Sequence, residues 1–182
     1  MRRIVVTEFL TLDGVMESPE KWSFPFWNEE AATFKHDELL ATDALLLGRV
    51  TYEGFAAAWP SRTDESGFAD RINSLPKFVV STTLRDVSWN NSRLIAGNVA
   101  DEVARLKDAP GGDIGVHGSC TLAQTLIRQD LVDEYHLLVY PVVRGSGKRL
   151  FADGVQASLT LADSKTFATG VVALVYRPAR QR

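Results

Sequence analysis

The sequence predicts an α/β fold in three layers: a mostly parallel central sheet, helices on both faces, and an antiparallel hairpin at the C-terminal end. Three observations lead there. Apolar, β-branched runs alternate with segments of helical periodicity over residues 1–130. Beyond that point strand-like runs follow one another with no helical stretch between them. The length of 182 residues, with 45% hydrophobic and 24% charged residues, suits one globular domain over 1–182.

Arg3 to Phe9 reads as a buried strand, and Asp13-Gly14 breaks it with turn chemistry. Glu17 to Asn28 gathers Trp22, Phe24, Phe26 and Trp27 around Pro19 and Pro25. It reads equally well as core padding or as a lid and wall for a flat ligand. Asn28 is a suitable N-cap for a helix to Leu40, with Glu29 and Glu30 in its first turn. Ala44 to Leu47 is a strand, and a helix from Thr51 to Ala58 stops at Trp59-Pro60. A short helix covers Phe68 to Leu75, and strands follow at Lys77–Ser81 and Leu94-Ile95. Asn98 caps a helix through Leu106, which ends at Pro110-Gly111-Gly112. Asp113 to Arg128 runs strand, Gly118-Ser119, helix, with Ser119 as the expected N-cap. The strand Asp133–Val143 and the pair Ala157–Phe167 and Gly170–Arg177 close the chain. Tyr135, Leu137 and Val139 alternate with His136, Leu138 and Tyr140, so both faces of that strand are apolar. A homodimer that covers one of them is the expected assembly.

The formal net charge is −3 and basic residues are scattered, which argues against nucleic acid as partner. A single cysteine, Cys120, excludes an internal disulfide and fits a reducing compartment; it is either a reactive thiol at a helix start or a small buried apolar residue. The N-terminus imitates a signal peptide, but Glu8 interrupts the apolar run and no small-residue cleavage site follows. No run approaches transmembrane length, so a cytoplasmic protein without a membrane partner is expected.

In a parallel sheet, ligands gather at the carboxyl ends of the strands. The turns after Leu47, Val80 and Val116 all offer donors there. Gly48, Arg49 and Thr51 supply a planar cation and a hydroxyl, Ser81 and Thr82 supply hydroxyls, and Gly118-Ser119 opens a helix whose N–H groups suit phosphate. Together they can hold a dinucleotide, with Arg49, Ser81 and Thr82 around a ribose 2′-phosphate; this favours NADP over NAD.

At these residues the chain resembles a known family. Leu47-Gly48-Arg49-Val50-Thr51-Tyr52-Glu53 is similar to the strand–GR-x-T–aromatic segment of dihydrofolate reductases. Val79-Val80-Ser81-Thr82 is similar to their second cofactor segment, and Val116-His117-Gly118-Ser119 to their Gly-Gly turn. Leu12-Asp13-Gly14-Val15, and Pro141 to Gly147 with Phe151, resemble the reductase domain at the C-terminus of the riboflavin-biosynthesis protein RibD. The ordered set identifies a free-standing member of that dihydrofolate-reductase-like group. The resemblance implies NADPH as cofactor. Gly48, Arg49 and Thr51 would contact its phosphates, Ser81 and Thr82 its adenosine ribose phosphate, and Gly118, Ser119, Cys120 and Thr121 its pyrophosphate. Phe9 and Leu10 would approach the nicotinamide through their backbone, and Asp13 and Gly14 would sit where nicotinamide meets substrate.

The implied reaction is reduction of 5-amino-6-(5-phosphoribosylamino)uracil, with Trp22 and Trp27 beside the substrate. Dihydrofolate reductases carry a carboxylate in the helix before the GR-x-T strand, but the family spacing lands on Ala32. Asp13, Glu30 and His117 are therefore the candidates for acid–base work. A dihydrofolate or general pteridine reductase is the alternative, and a non-catalytic dimeric nucleotide-binding protein is a third. No metal is expected: one Cys and three His cannot build the zinc motif of a fused deaminase.

Overall fold

The computed structural model describes residues 1–179. Its strands are β1 (Ile4–Thr11), β2 (Thr42–Gly48), β3 (Lys77–Val80), β4 (Ser92–Ile95), β5 (Asp113–His117), β6 (Glu134–Tyr140), β7 (Leu159–Thr166) and β8 (Val172–Pro178). Its helices are α1 (Glu29–Ala41), α2 (Arg49–Ala58), α3 (Phe68–Ser74), α4 (Val99–Asp108) and α5 (Cys120–Arg128). The strands form an 8-stranded sheet in the order β4-β3-β2-β5-β1-β6-β8-β7. The strands from β1 to β6 pair in parallel, and β8 and β7 add an antiparallel hairpin beside β6. This is the three-layer dihydrofolate-reductase-like architecture with its C-terminal hairpin.

The layers follow from the pleat. Ile4, Val6 and Leu10 point to one face of β1 and pack with Ile114, Val116, Val103, Leu106, Leu122 and Leu126, so α4 and α5 cover that side. The opposite face divides into two parts. Leu45, Leu47 and Val79 pack under Leu39, Tyr52 and Ile72. Leu138, Tyr140 and Ala173 pack with Ala31, Phe167 and Trp22. Helices α1, α2 and α3 therefore lie on this second side.

Both faces of β6 are filled from within the chain: Tyr135 and Leu137 join the α5 side, Leu138 and Tyr140 the α1 side. The two apolar faces that led to the expected homodimer thus find their cover without a second copy.

Side-chain caps start α1 and α4: Asn28 accepts from Ala31 N–H and Asn98 from Ala100 N–H. Helix α2 begins two residues earlier than its sequence pattern suggests, at Arg49. Strand β6 ends at Tyr140, since Pro141 cannot donate to the ladder.

The chain adds β2, β3 and β4 toward one edge of the sheet, then returns to place β5 between β2 and β1 and adds β6 on the other side of β1, all these strands staying parallel. Crossovers leave in opposite directions there and the strand ends open a crevice.

Candidate active site

That crevice is a cleft of about 1530 Å³, larger than the ~300–1,000 Å³ typical of one small ligand. It runs along the carboxyl ends of β1, β5 and β2.

Two helix starts form one wall. Gly48 N–H donates to Ser119 Oγ at 2.9 Å, and Ser119 N–H donates to Thr51 Oγ1 at 2.9 Å. Ser119 Oγ in turn donates to the His117 carbonyl at 2.9 Å. The hydroxyl of Ser119 thus stitches two turns together and does not cap α5, as the sequence suggested. Helices α2 and α5 both begin without a side-chain cap, leaving first-turn N–H groups for a ligand. Gly118 and Ser119 are consecutive left-handed residues, φ 53° and 57°. A Cβ on Gly118 would lie 3.0 Å from Thr51 Oγ1, so only glycine lets the turns approach this closely. Arg49 lines the same wall with its guanidinium paired to Glu53 at 2.9 Å. This donor set is chemically suited to a pyrophosphate.

Phe9, Trp27, His117, Cys120 and Thr121 also line the cleft. His117 keeps a neutral imidazole at neutral pH, because desolvation and the nearby Lys35 ammonium lower its pKa to about 3. Burial pushes the Cys120 thiol up, and Sγ donates to the Arg149 carbonyl at 3.6 Å; the environment does not favour a thiolate.

Other nominated residues are held outside the lining. Ser81 Oγ closes its own turn, accepting from the N–H groups of Thr83 and Leu84, while Thr82 is exposed. Leu10 is core. Trp22 is 4% exposed; it packs edge-on against Tyr140 and donates to the Glu17 carbonyl, so it reads as padding rather than a lid. Asp13 accepts from Thr11 Oγ1 and from the N–H groups of Arg144 and Gly145, which hold its carboxylate down at about 2. It fastens the turn around Gly14 to the loop after Pro141, and so joins the two RibD-like segments. Glu30 accepts from Ala168 N–H and Asn28 and is held below the usual carboxylate range; it ties α1 to the turn between β7 and β8.

Sequence reasoning missed the charged groups of the cleft floor. Glu8 is 4% exposed, lines the cleft, and has no partner for Oε1. Burial pushes its carboxyl well above the usual range, with Lys35 and the Gly118 N–H acting in the opposite sense. Lys35 projects from α1 into the other side of β1 and lines the cleft as well. The one signal in the sequence was Glu8 itself, a charge inside an apolar strand.

The chain matches the RibD C-terminal domain over residues 2–173. It belongs to the RibD C-terminal domain family. Uncharacterized protein YyaP of Bacillus subtilis (strain 168) is 34% identical over 179 residues, covering 96% of this chain and 94% of that protein. A Thermotoga maritima diaminohydroxyphosphoribosylaminopyrimidine deaminase/5-amino-6-(5-phosphoribosylamino)uracil reductase superposes with a TM-score of 0.70 at 14% identity, covering 98% of this chain and 57% of that one. Dihydrofolate reductase from Enterococcus faecalis, complexed with NADP(H), superposes with a TM-score of 0.64 at 12% identity, covering 98% and 97%. At those identities the structures establish the shared fold. No helix among the described residues is long and apolar enough to cross a membrane.

Proposed function

We propose that this RibD C-terminal family member is an NADPH-dependent reductase. It acts on a flat pyrimidine or pteridine-type heterocycle, with 5-amino-6-(5-phosphoribosylamino)uracil as first choice. The observation that carries the reading is the pair of uncapped helix starts stitched through Ser119, Thr51 and Gly48. It supplies N–H groups where a pyrophosphate needs them, and Arg49 adds a cation beside them. When bound, NADPH supplies the hydride. The protein's own residues hold the phosphates on this wall, press Phe9 and Trp27 against flat rings, and set the charge at the floor. Family membership and the fold of the two named reductases support the same assignment.

A dihydrofolate reductase is less well supported. Ala32 lines the cleft where that chemistry wants a carboxylate, and α1 brings Lys35 as well as Glu29 into the same lining.

The test is direct. Purified protein should quench on titration with NADPH and bind NADH more weakly. With the uracil substrate it should consume NADPH, seen as loss of the nicotinamide absorbance. No binding of either nucleotide ends the proposal; binding with no turnover of this uracil ends the substrate assignment alone.

A further inference from the structure

Lys77, at the start of β3, is fully buried and does not line the cleft. Its Nζ donates to three backbone carbonyls: Asn73 at 2.6 Å, Leu75 at 2.8 Å and Asn90 at 3.0 Å. The first two stand at the C-terminal end of α3, where a cation also meets the negative end of the helix dipole. The third belongs to the connection between β3 and β4. From that connection the Trp89 ring lies 4.1 Å from Nζ. An ammonium has three hydrogens, so the cage uses all of them.

The cage bears on both ends of α2. Trp89 N–H donates to Tyr52 Oη at 2.9 Å, one residue beyond Thr51. Trp89 Nε1 donates to Asn73 Oδ1 at 2.8 Å, and Asn73 Nδ2 donates to the carbonyl of Trp59, the C-cap of α2, at 2.9 Å. The start of α2 carries Arg49 and Thr51, and Thr51 Oγ1 holds the Ser119 N–H. The wall of the cleft that suits a pyrophosphate is thus seated on a group outside the cleft.

We propose that Lys77 is a positioning residue for the cofactor's phosphates: its three-way grip seats α2, and loss of its proton loosens that seat. This rests on the reading of the first turn of α2 as part of a phosphate wall. A neutral amine has two hydrogens and a lone pair. It satisfies two carbonyls and turns the lone pair toward the third, which is a repulsive contact. The Asn90 carbonyl is the one released, since its bond is the longest of the three and Asn90 is exposed. Trp89 shifts with it, and so does the hold on Tyr52.

Burial lowers the lysine pKa to about 8, so the change falls just above neutrality. No charged side chain contributes to that shift. Arg71 of α3 is turned to the Thr42 carbonyl and Asp43, and Tyr52 is the titratable group that α2 brings to the cage. The folded chain gives up this proton before the unfolded chain, whose lysine titrates at 10.5. The cost of burying the ammonium is therefore present below pH 8 and is relieved as pH rises toward 10.5, so this deprotonation does not itself unfold the protein.

The experiment titrates the full chain with NADPH from about one unit below that value to about one and a half above it, beside hydrogen exchange of the helices. Wild type should bind about three- to tenfold more weakly at the alkaline end, the worth of one hydrogen bond. Lys77→Met should bind with the lower affinity throughout. Its α2 amides, Arg49–Ala58, should exchange faster than in wild type at the same pH, while those of α4 and α5 do not change. A flat wild-type profile, a fall that survives in Lys77→Met, or exchange that rises equally in all helices would each overturn the proposal. If Lys77→Met does not fold, Tyr52→Phe decides. It cuts the link from Trp89 to α2, so it should bind weakly and without the alkaline fall; an unchanged profile overturns the proposal. NADPH binding with no pH dependence in wild type defeats this inference alone; absence of NADPH binding at every pH defeats the reading of the cleft.

Discussion

Glu8 is where residue chemistry and fold conflict most directly. A carboxylate in the middle of an inner strand interrupts an otherwise apolar face shared with Val6 and Leu10. Its pKa is raised in the folded protein by burial, above the 4.5 of the unfolded chain. Protonation therefore favours the native state. The contribution is fully present below pH 4.5 and is lost as pH rises through the folded value. Glu8→Gln keeps the shape and removes the titration. It should flatten the fall of the melting temperature on the alkaline side and raise that temperature above wild type there. Thermal melts of both proteins from acid to alkaline pH check this; parallel curves would mean that Glu8 is already ionised and satisfied. Sequence reading could flag Glu8 as an oddity but could not say which way it faced. That depends on the register of β1 against β5, in which Thr7 stands opposite His117.

At the scale of elements, α2 and α5 are one device. Each begins at a strand end, and the Thr51 and Ser119 hydroxyls clamp the two starts together. Gly118→Ala would put a methyl against Thr51 and hold a left-handed backbone on a side chain that disfavours it. The backbone strain alone is worth roughly 1–3 kcal/mol. The variant should melt lower and lose NADPH affinity. Thr51→Val keeps the volume but removes the acceptor for Ser119 N–H, so it should weaken NADPH binding with a smaller loss of stability. Calorimetric titration with NADPH, paired with melting curves, separates the two effects.

These turns were legible in the sequence because their chemistry is local: Gly48-Arg49 and Gly118-Ser119 stand at the ends of apolar runs. The buried row that runs from Lys35 through Glu38 and His136 to Glu134 was not legible. Lys35 and Glu38 look like ordinary solvated charges on a helix with no clear apolar stripe, and His136 meets Glu38 across 98 positions of chain. Likewise Asp13 and Glu30 carry types that suggest catalysis, and only the folded contacts show them tying loops.

Across the whole molecule the same buried row links α1 to β1, β6 and β8, and it sets limits on both sides of neutrality. Burial alone would raise the Glu38 pKa, but Lys35 and His136 hold it down at about 2, below its unfolded 4.5. That stability is present above pH 4.5 and is lost as pH falls toward 2. Burial alone would lower the pKa of His136, but Glu38 and Glu134 raise it above 6.5. Its contribution is complete below pH 6.5 and is lost as pH rises through the folded value. His136→Asn should therefore destabilise the protein most near pH 5–6 and least at alkaline pH, by roughly 1–3 kcal/mol at the maximum for a lost charged hydrogen bond. Chemical denaturation across that range checks it; a pH-independent loss would mean that the imidazole is neutral.

The overall layering was readable because apolar alternation and element order depend on neighbours along the chain. The rim of the sheet has a consequence of its own. Strand β7 lies at the margin, almost wholly exposed, with its pairing register broken between Leu161 and Asp163 and with Asp163 and Lys165 along it. A kinked, charged border is a poor template for further strands. Pairing of two copies through this border is thereby disfavoured, even where crowding brings their hairpins together.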